Sequence, residues 1–591
     1  VATGLEGHLT GGKTYLITAP GTDTVILDID AGIRLYGNGA TIKVADDSTG
    51  FHAILGSKDS GDDLSGLWIE GVVFDHNAQN EDGEPAVSTS VLTLPRCTVK
   101  AKRGAGLAVV DCVVLNSVST NCIELNGDGN SSDTRVRGCR FYMAEPNGDV
   151  YFDHSTLYLT GDNIEAVDNY FENASWGSAN GTCAIEVHPG FQYVVSRNRV
   201  FAFHTGMNIA GIYDTDSRGG LVQDNVIETL RRGIYVLSGT YAGHSSGYGI
   251  DGLNIDGNHI CIRNATGQGN MTGGGPGAFG ILLNGAGLAT RDIAIGDNNQ
   301  VVFDLESSAP DWDSLPAGVG VGDATGSSVH ENFSIGAMLI ENSPCFGVAL
   351  GGAGGVLKNC RVRGTRIVRP GQTAKSDVNL GSWDYRSGIW IQPASISGSL
   401  LIEDVEIIDD LSTTRMRNAF VLQAGGAVTA PVDIGARVVI SGATTTAFAN
   451  TVCKFDNNIV PKVRIEQNIV PLTASSGATF RKGSLLIDRP NAIEYEMRTD
   501  GGTAFSARLI EASATYNPPS LADGAGATTT VTLGGALLGD FALASFSNAL
   551  ADIVLTAWVS ATNTVSVRFQ NESGGTVDLA SGTLRVRVSK A

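Results

Sequence analysis

The chain is written in short runs of alternating apolar and polar residues, and these runs recur in a set order. An alternating run is followed by an Asn, a second apolar run, a Gly and a third apolar run. The Asn step reads Val-Asp-Asn-Tyr-Phe at 167–171, Ser-Arg-Asn-Arg-Val-Phe at 196–201, Gln-Asp-Asn-Val-Ile at 223–227 and Asp-Gly-Asn-His-Ile at 256–260. The Gly step reads Gly-Met-Asn-Ile at 206–209 and Gly-Ile-Tyr-Val at 233–236. Asn169, Asn198, Asn225 and Asn258 are 29, 27 and 33 residues apart. A period of two within each run predicts strands, and a unit of this length repeated with variable insertions predicts stacked coils. No 3.6-residue periodicity interrupts the pattern, so the coils are expected to be β. The asparagines are expected at corners, their amides bonded to one another up the stack.

The same pattern divides the chain. Residues 1–50 read as a cap segment, with strands at Lys13–Ile17 and Ile33–Ile42, the latter broken by Gly-Asn-Gly. Residues 51–470 read as the parallel β-helix that carries the site. Insertions at 239–252, 263–279, 304–332 (with Trp312) and 370–388 (with Trp383 and Tyr385) interrupt its rhythm, and long loops on a rigid scaffold commonly carry binding function. Residues 471–514 read as a linker or stem. Residues 515–591 alternate differently, around runs such as Asp552–Trp558, Thr564–Phe569 and Thr583–Val588, and read as a sandwich-like antiparallel β module. Its alternation leaves an apolar face for a second sheet of its own or for copies in other chains.

Composition narrows the function. Glycine is abundant, at 76 of 591 residues, as many left-handed corners require. The net charge of −21 argues against nucleic acid, whose phosphates need a basic field. No run of 18 or more apolar residues is present, so no membrane insertion is expected. The chain has neither a signal peptide nor an initiator Met, which reads as a mature or trimmed fragment. Nine cysteines form no framework; Cys112, Cys139, Cys261 and Cys360 sit beside Val and Ile, as reduced thiols packed like small apolar groups would. That suits folding in a reducing cytoplasm. No zinc spacing appears, and the acidic turns Asp214-x-Asp216 and Asp128-Gly-Asn130 do not match a calcium loop, so neither metal nor cofactor is expected.

The segment Leu35-Tyr-Gly-Asn-Gly-Ala-Thr-Ile-Lys43 and the coil repeats resemble the pectate-lyase-like right-handed parallel β-helix. The stretches Gly539–Ser547, Val565–Glu572 and Gly575–Val588 resemble a module found at the ends of phage tail proteins. Together the chain resembles bacteriophage tailspikes. The resemblance implies an all-β fold, a right-handed parallel β-helix with a C-terminal antiparallel β trimerisation module. It also implies a homotrimer in the virion, joined to the phage tail through an N-terminal region missing here, folded in the host cytoplasm and acting at the bacterial outer surface. Its partner would be a bacterial surface polysaccharide, O-antigen or capsule, which it binds and usually depolymerises. Tailspikes share no catalytic motif, so candidate residues must come from coil geometry.

Successive strand side chains point to opposite faces, and stacked coils repeat that choice about 4.8 Å further on. With Ile123/Leu125, Leu157/Leu159, Ile185/Val187, Met207/Ile209, Ile234/Val236, Ile281/Leu283 and Ile389/Ile391 inside, the residues between them form an outward column. It reads Glu124, Tyr158, Glu186, Asn208, Tyr235, Leu282 and, further on, Trp390, with Asn126, Thr160, His188 and Asn284 two positions later. A one-residue slip would bury Glu124, Glu186 and His188 in the core, which burial energetics disfavour. At the preceding corner His204 lies one coil from Arg231, next to Arg232. Asp214 and Arg218 follow one strand, and Tyr241 and His244 follow the next.

Two chemistries fit. A lyase acting on uronic acids would use Arg218, Arg231 or Arg232 to neutralise the carboxylate, and His188, His204 or Tyr235 as base or acid. A hydrolase would use carboxylates, either Glu124 with Glu186, about 10 Å apart by strand spacing, or Glu186 with Asp214. The residues expected to hold substrate are Glu124, Tyr158, Asn208, Arg218, Tyr241, His244 and Trp390. A non-cleaving adhesin using the same groove, and a secreted pectinase-like enzyme, are the other readings.

Overall fold

The structure is a computed structural model. It describes residues 5–18, 24–46, 48, 51–57, 63–78, 97–101, 103–117, 121–125, 132–144, 154–174, 182–211, 216–239, 248–263, 278–285, 288–304, 317–323, 328–351, 355–372, 379–380, 383–384, 386–411, 416–422, 428, 431–440, 453–455, 461–467, 480–488, 493–498 and 506–590. Among these residues no α-helix occurs; the fold is all-β, a parallel β-helix followed by small antiparallel sheets. Accordingly, no helix among the described residues is long and apolar enough to cross a membrane.

Each coil gives one strand to each of three walls. Arg135–Arg137, Ile164–Val167, Phe191–Ser196, Ser217–Gln223 and Ile250–Asp256 lie side by side in the first wall. Arg140–Met143, Tyr170–Glu172, the first halves of Arg199–Ala210 and Val226–Ser238, and His259–Arg263 form the second. Ile123–Leu125, His154–Gly161, Thr182–Pro189, the second halves of the same two long strands, and Phe279–Gly285 form the third. Every one of these pairings is parallel. The inward side chains predicted on the third wall, from Ile123 and Leu125 to Ile389 and Ile391, have no exposed surface. Parallel register also puts like on like: Phe141 and Phe171 stack inside the second wall with centroids 4.9 Å apart and planes 6° from parallel.

Two side-chain series explain the repeated sequence. The corner asparagines form a buried ladder. Asn169, Asn198, Asn225 and Asn258 each donate Nδ2 to the Oδ1 of the Asn one coil on, ending at Asn299, at 2.8–3.0 Å. The same oxygens accept the preceding asparagine's backbone N–H at 2.9–3.1 Å. Buried corner groups are thus satisfied by identical side chains. The residue before each ladder Asn is left-handed, as at Asp168, Arg197, Asp224 and Gly257, which turns the chain from the first wall into the second. The Gly step marks the bend into the third wall. A Cβ on Gly206, Gly233, Gly280, Gly318, Gly347 or Gly388 would come within 2.3–2.7 Å of a second-wall Ile or Val side chain. It would also come within 2.5–2.9 Å of a backbone oxygen one coil on.

Cys112, Cys139 and Cys360 are buried thiols and Cys261 is half-buried; all four are free. Compact units divide near residue 460, the first being 1–459 with 473–477 and the second 460–472 with 478–591. Within the second unit, Leu485–Asp488, Ile493–Glu496 and Ser506–Ala507 pair antiparallel in the stretch read as linker. The terminal sandwich begins at Leu509, not 515: Leu509–Tyr516 and Phe541–Phe546 flank Gly582–Ser589, and Gly526–Thr532 and Ile553–Ala561 flank Thr564–Asn571. Val565, Val567, Phe569, Leu584, Val586 and Val588 fill the space between the two sheets.

Candidate functional site

Strand register on the third wall lines up Lys100, Glu124, Tyr158, Glu186, Asn208, Tyr235, Leu282, Gly320, Ala349, Trp390 and Val421, one per coil. The column is therefore a column in space. Its expected exposure is not observed: Glu124, Glu186, Tyr235 and Trp390 are only 7–9% exposed, and Leu282 3%. Its far half is apolar. Leu282, Ala349, Trp390 and Val421 pack with Phe279, Ala317 and Phe346 into a cluster separate from the interior. Trp390 lies flat on Phe346 at 4.9 Å and 11°, so its ring face is already covered on that side. That favours packing over sugar stacking.

The near half is polar. Glu186 Oε1 faces His188 Nε2 at 2.8 Å and accepts Asn208 Nδ2 at 3.1 Å, while Ser155 Oγ donates to Oε2. Burial opposes ionisation of Glu186, but the bond and charge of His188, with Ser155 and Asn208, outweigh it and hold the carboxyl below its usual range. His188 Nδ1 faces the carbonyl of Gly211 at 3.1 Å. Both ring nitrogens of the buried His188 thus face hydrogen-bond acceptors, a carbonyl on one side and a carboxylate on the other. Tyr158 packs against the imidazole at 5.1 Å. Two coils before Glu186, Glu124 takes Lys100 Nζ at 3.2 Å and the Cys97 thiol at 3.5 Å. Burial pushes that thiol's pKa well up, helped by the nearby carboxylate.

Beyond Asn208 the charge reverses. Thr205 pairs with Arg232, which sets His204 beside Arg231. Arg232 lies over the Tyr235 ring, 4.5 Å from its centroid, and Asn284 Nδ2 donates to Tyr235 Oη at 2.8 Å. Burial, followed by the two arginines, drives His204 down to about 3, so it is neutral at pH 7 and a feeble base. Burial and the paired positive charge lower Arg231 to about 10, and burial lowers Arg232; both stay protonated. On the second wall nearby, Glu228 accepts Arg263 Nε at 2.9 Å. His259 is exposed on the second wall, where it meets Gln300 at 3.0 Å.

Arg218 is apart from the cluster, exposed at the start of a first-wall strand and 3.8 Å from Asp216. Asp214, Tyr241, His244 and Asn126 lie outside the described residues. Sequence reasoning missed Ser155, Cys97 and Lys100. Lys100 was within reach, because Val99-Lys100-Ala101 continues the column by one coil. Ser155 was not, because the bend before Tyr158 breaks the alternation. Among the described residues no three His, Cys, Asp or Glu side chains gather as a metal site would require.

No protein-family model and no curated protein sequence matches the chain. Solved structures do. A substituted tailspike protein of E. coli bacteriophage HK620, in complex with a pentasaccharide, aligns over 99% of this chain and 87% of its own, at 16% identity and a TM-score of 0.54. A second variant of that tailspike, also with pentasaccharide, covers the same shares at 15% identity and a TM-score of 0.50. The likeness is one of fold: this chain has the parallel β-helix fold of a phage tailspike.

Proposed function

We propose that the chain is the receptor-binding, polymer-cleaving part of a phage tailspike, acting on a bacterial surface polysaccharide as a β-eliminating lyase. The observation that carries this reading is the grouping of Arg231, Arg232, His204 and Tyr235 in a chain of net charge −21. The shared fold with a tailspike solved with a pentasaccharide supports the substrate class. The arginines would neutralise a uronate carboxylate and so acidify the adjacent C–H. As the phenolate, Tyr235 Oη would take that proton and, as the phenol so formed, return it to the departing glycosidic oxygen. Arg232 over the ring and the Asn284 amide on Oη offset negative charge on that oxygen while the proton moves. His204 would act as a neutral hydrogen-bonding partner. Glu186 and His188 would position the wall, since each is held by the other.

The carboxylates favour hydrolysis less. Glu124 and Glu186 are two rungs apart, about 10 Å, beyond the roughly 6.5–9.5 Å of an inverting pair. Glu186 is held ionised, which suits no proton donor. For assembly, Phe541 and Leu543 on one edge strand and Val554 and Trp558 on another are 41–72% exposed, which supports the sandwich as a trimerisation module in the virion.

The test is product analysis on a panel of O-antigens and capsules. Oligosaccharides with an unsaturated, ultraviolet-absorbing uronic end are expected, with kcat falling by roughly 10²–10⁴ in Tyr235→Phe. New reducing ends without that absorbance would replace elimination by hydrolysis. Binding without shortening would make the protein an adhesin.

A further inference from the structure

The second wall carries a groove that the reading above leaves unused. It is about 710 Å³ in volume and lies on the outer face of the coils between residues 138 and 226. Register stacks Arg140, Tyr170, Arg199 and Val226 along its floor, one per coil. Arg140, Arg199 and Val226 are exposed and Tyr170 is half-buried. Tyr142 extends the aromatic surface, its ring 5.7 Å from that of Tyr170. The Tyr170 hydroxyl is anchored on Glu172 at 2.7 Å, which fixes the ring between the two guanidinium groups.

Many cations on the first and second walls are matched, as in Arg135 with Glu165, Arg361 with Glu403 and Arg369 with Asp410. At the groove's own rim, Arg197 holds Asp168 through two bonds of 2.7 and 3.0 Å, with Arg137 at 3.7 Å on the same carboxylate. Asp168 is accordingly held below its usual range, chiefly by the Arg197 bond, which with the charges of Arg197 and Arg137 outweighs burial. Arg140 and Arg199 have no carboxylate partner among the described residues. Two such cations about 10 Å apart with a tyrosine between them present alternating positive charge and aromatic surface. That combination fits an anionic sugar chain: guanidinium groups for carboxylates, phenol faces for the apolar side of a sugar ring.

We propose that this groove is a second, non-catalytic binding site for an anionic oligosaccharide, on a different wall from the column at Tyr235. The proposal shares a ligand class with the lyase reading but does not depend on cleavage. A polymer held at two places on one chain would gain effective concentration at each.

The test is calorimetric titration of the assembled protein with tetragalacturonate, with maltotetraose as the neutral control, in an Arg232→Gln background that disables the column site. Binding that weakens with salt, at least tenfold weaker in Arg140→Gln/Arg199→Gln, and absent for maltotetraose, is expected. Both arginines are on the surface, so the double variant should melt where its parent does. Absence of binding by the parent, or equal affinity in the double variant, overturns the proposal. So does slow alkylation of a Val226→Cys variant in the assembled protein, since that would show the groove closed by a second copy of the chain. If oligomers are cleaved elsewhere while these titrations fail, the groove is refuted and the lyase stands; the converse result separates them the other way.

Discussion

Replacing Asn225 by Ala should break the corner ladder locally and at a predictable magnitude. Asn225 is fully buried, and its amide is used at both ends. Oδ1 accepts the backbone N–H of Asn198 at 2.9 Å and its Nδ2 at 3.0 Å; Nδ2 donates to Val195 O at 3.0 Å and to Asn258 Oδ1 at 2.8 Å. The substitution orphans two donors of Asn198 and the carbonyl of Val195, while Asn258 Oδ1 keeps the Asn225 backbone N–H at 3.1 Å. Each buried group left unmade costs about 1–3 kcal/mol, and partial relaxation brings the sum to about 3–5 kcal/mol. Hydrogen exchange read at the Asn198 amide should then accelerate by about 100-fold or more, since each 1.36 kcal/mol is tenfold. Asn225→Asp should cost more at pH 7, because a carboxylate would face a carbonyl and an amide oxygen, and should recover partly on acidification as a proton returns one donor. Asn254→Ala is the control: that side chain is exposed on a first-wall strand and its backbone is not left-handed, so loss should be slight. An acceleration below fivefold in Asn225→Ala, or one matched by the control, would refute the ladder as a stabilising element.

Three further outcomes are expected. Gly233→Ala should destabilise the third wall or abolish soluble protein, because its Cβ would stand 2.3 Å from Ile260 Cγ2 and 2.5 Å from Gly280 O; thermal inactivation half-lives of this variant and of Gly575→Ala, which meets nothing, make the comparison. His204, at about 3 when folded and about 6.5 when unfolded, contributes stability that is complete above pH 6.5 and is lost as pH falls toward 3, on the order of 5 kcal/mol at most; the unfolding free energy of wild type should therefore drop more steeply across that window than that of His204→Gln, and equal slopes would contradict the burial argument. Phe541→Glu with Leu543→Glu should shift the assembled protein toward monomer in light scattering while leaving the sandwich core folded, since those two side chains are 72% and 69% exposed; an unchanged mass would remove the sandwich face as the assembly surface.

The sequence by itself determined the coil, its walls and the neighbours along each wall. Alternation set which residues of Ile185-Glu186-Val187 face the interior, and the Asn and Gly steps set where the chain turns, because a parallel stack forces every coil to repeat the same backbone choice. Glu186, Asn208 and Tyr235 were for that reason placeable on one line before any coordinates. The boundary of the terminal module was less legible: Leu509–Tyr516 alternates but stands apart in sequence from the runs at Asp552–Trp558, Thr564–Phe569 and Thr583–Val588, and only its pairing with Gly582–Ser589 joins it to them. Only the tertiary structure decided what lies against the outer side of a wall. Periodicity distinguishes two faces of a strand but is blind to what covers the second, so a column read as open surface is buried, polar at Glu186 and His188 and apolar at Leu282 and Trp390. Charge state was decided there too. His204 carries no mark in the sequence that separates it from His188, yet one is pressed neutral by burial beside two arginines and the other is bonded to a carboxylate. Titration depends on desolvation and on charges a few ångströms away in space, and those distances are fixed by packing between coils rather than by order along the chain.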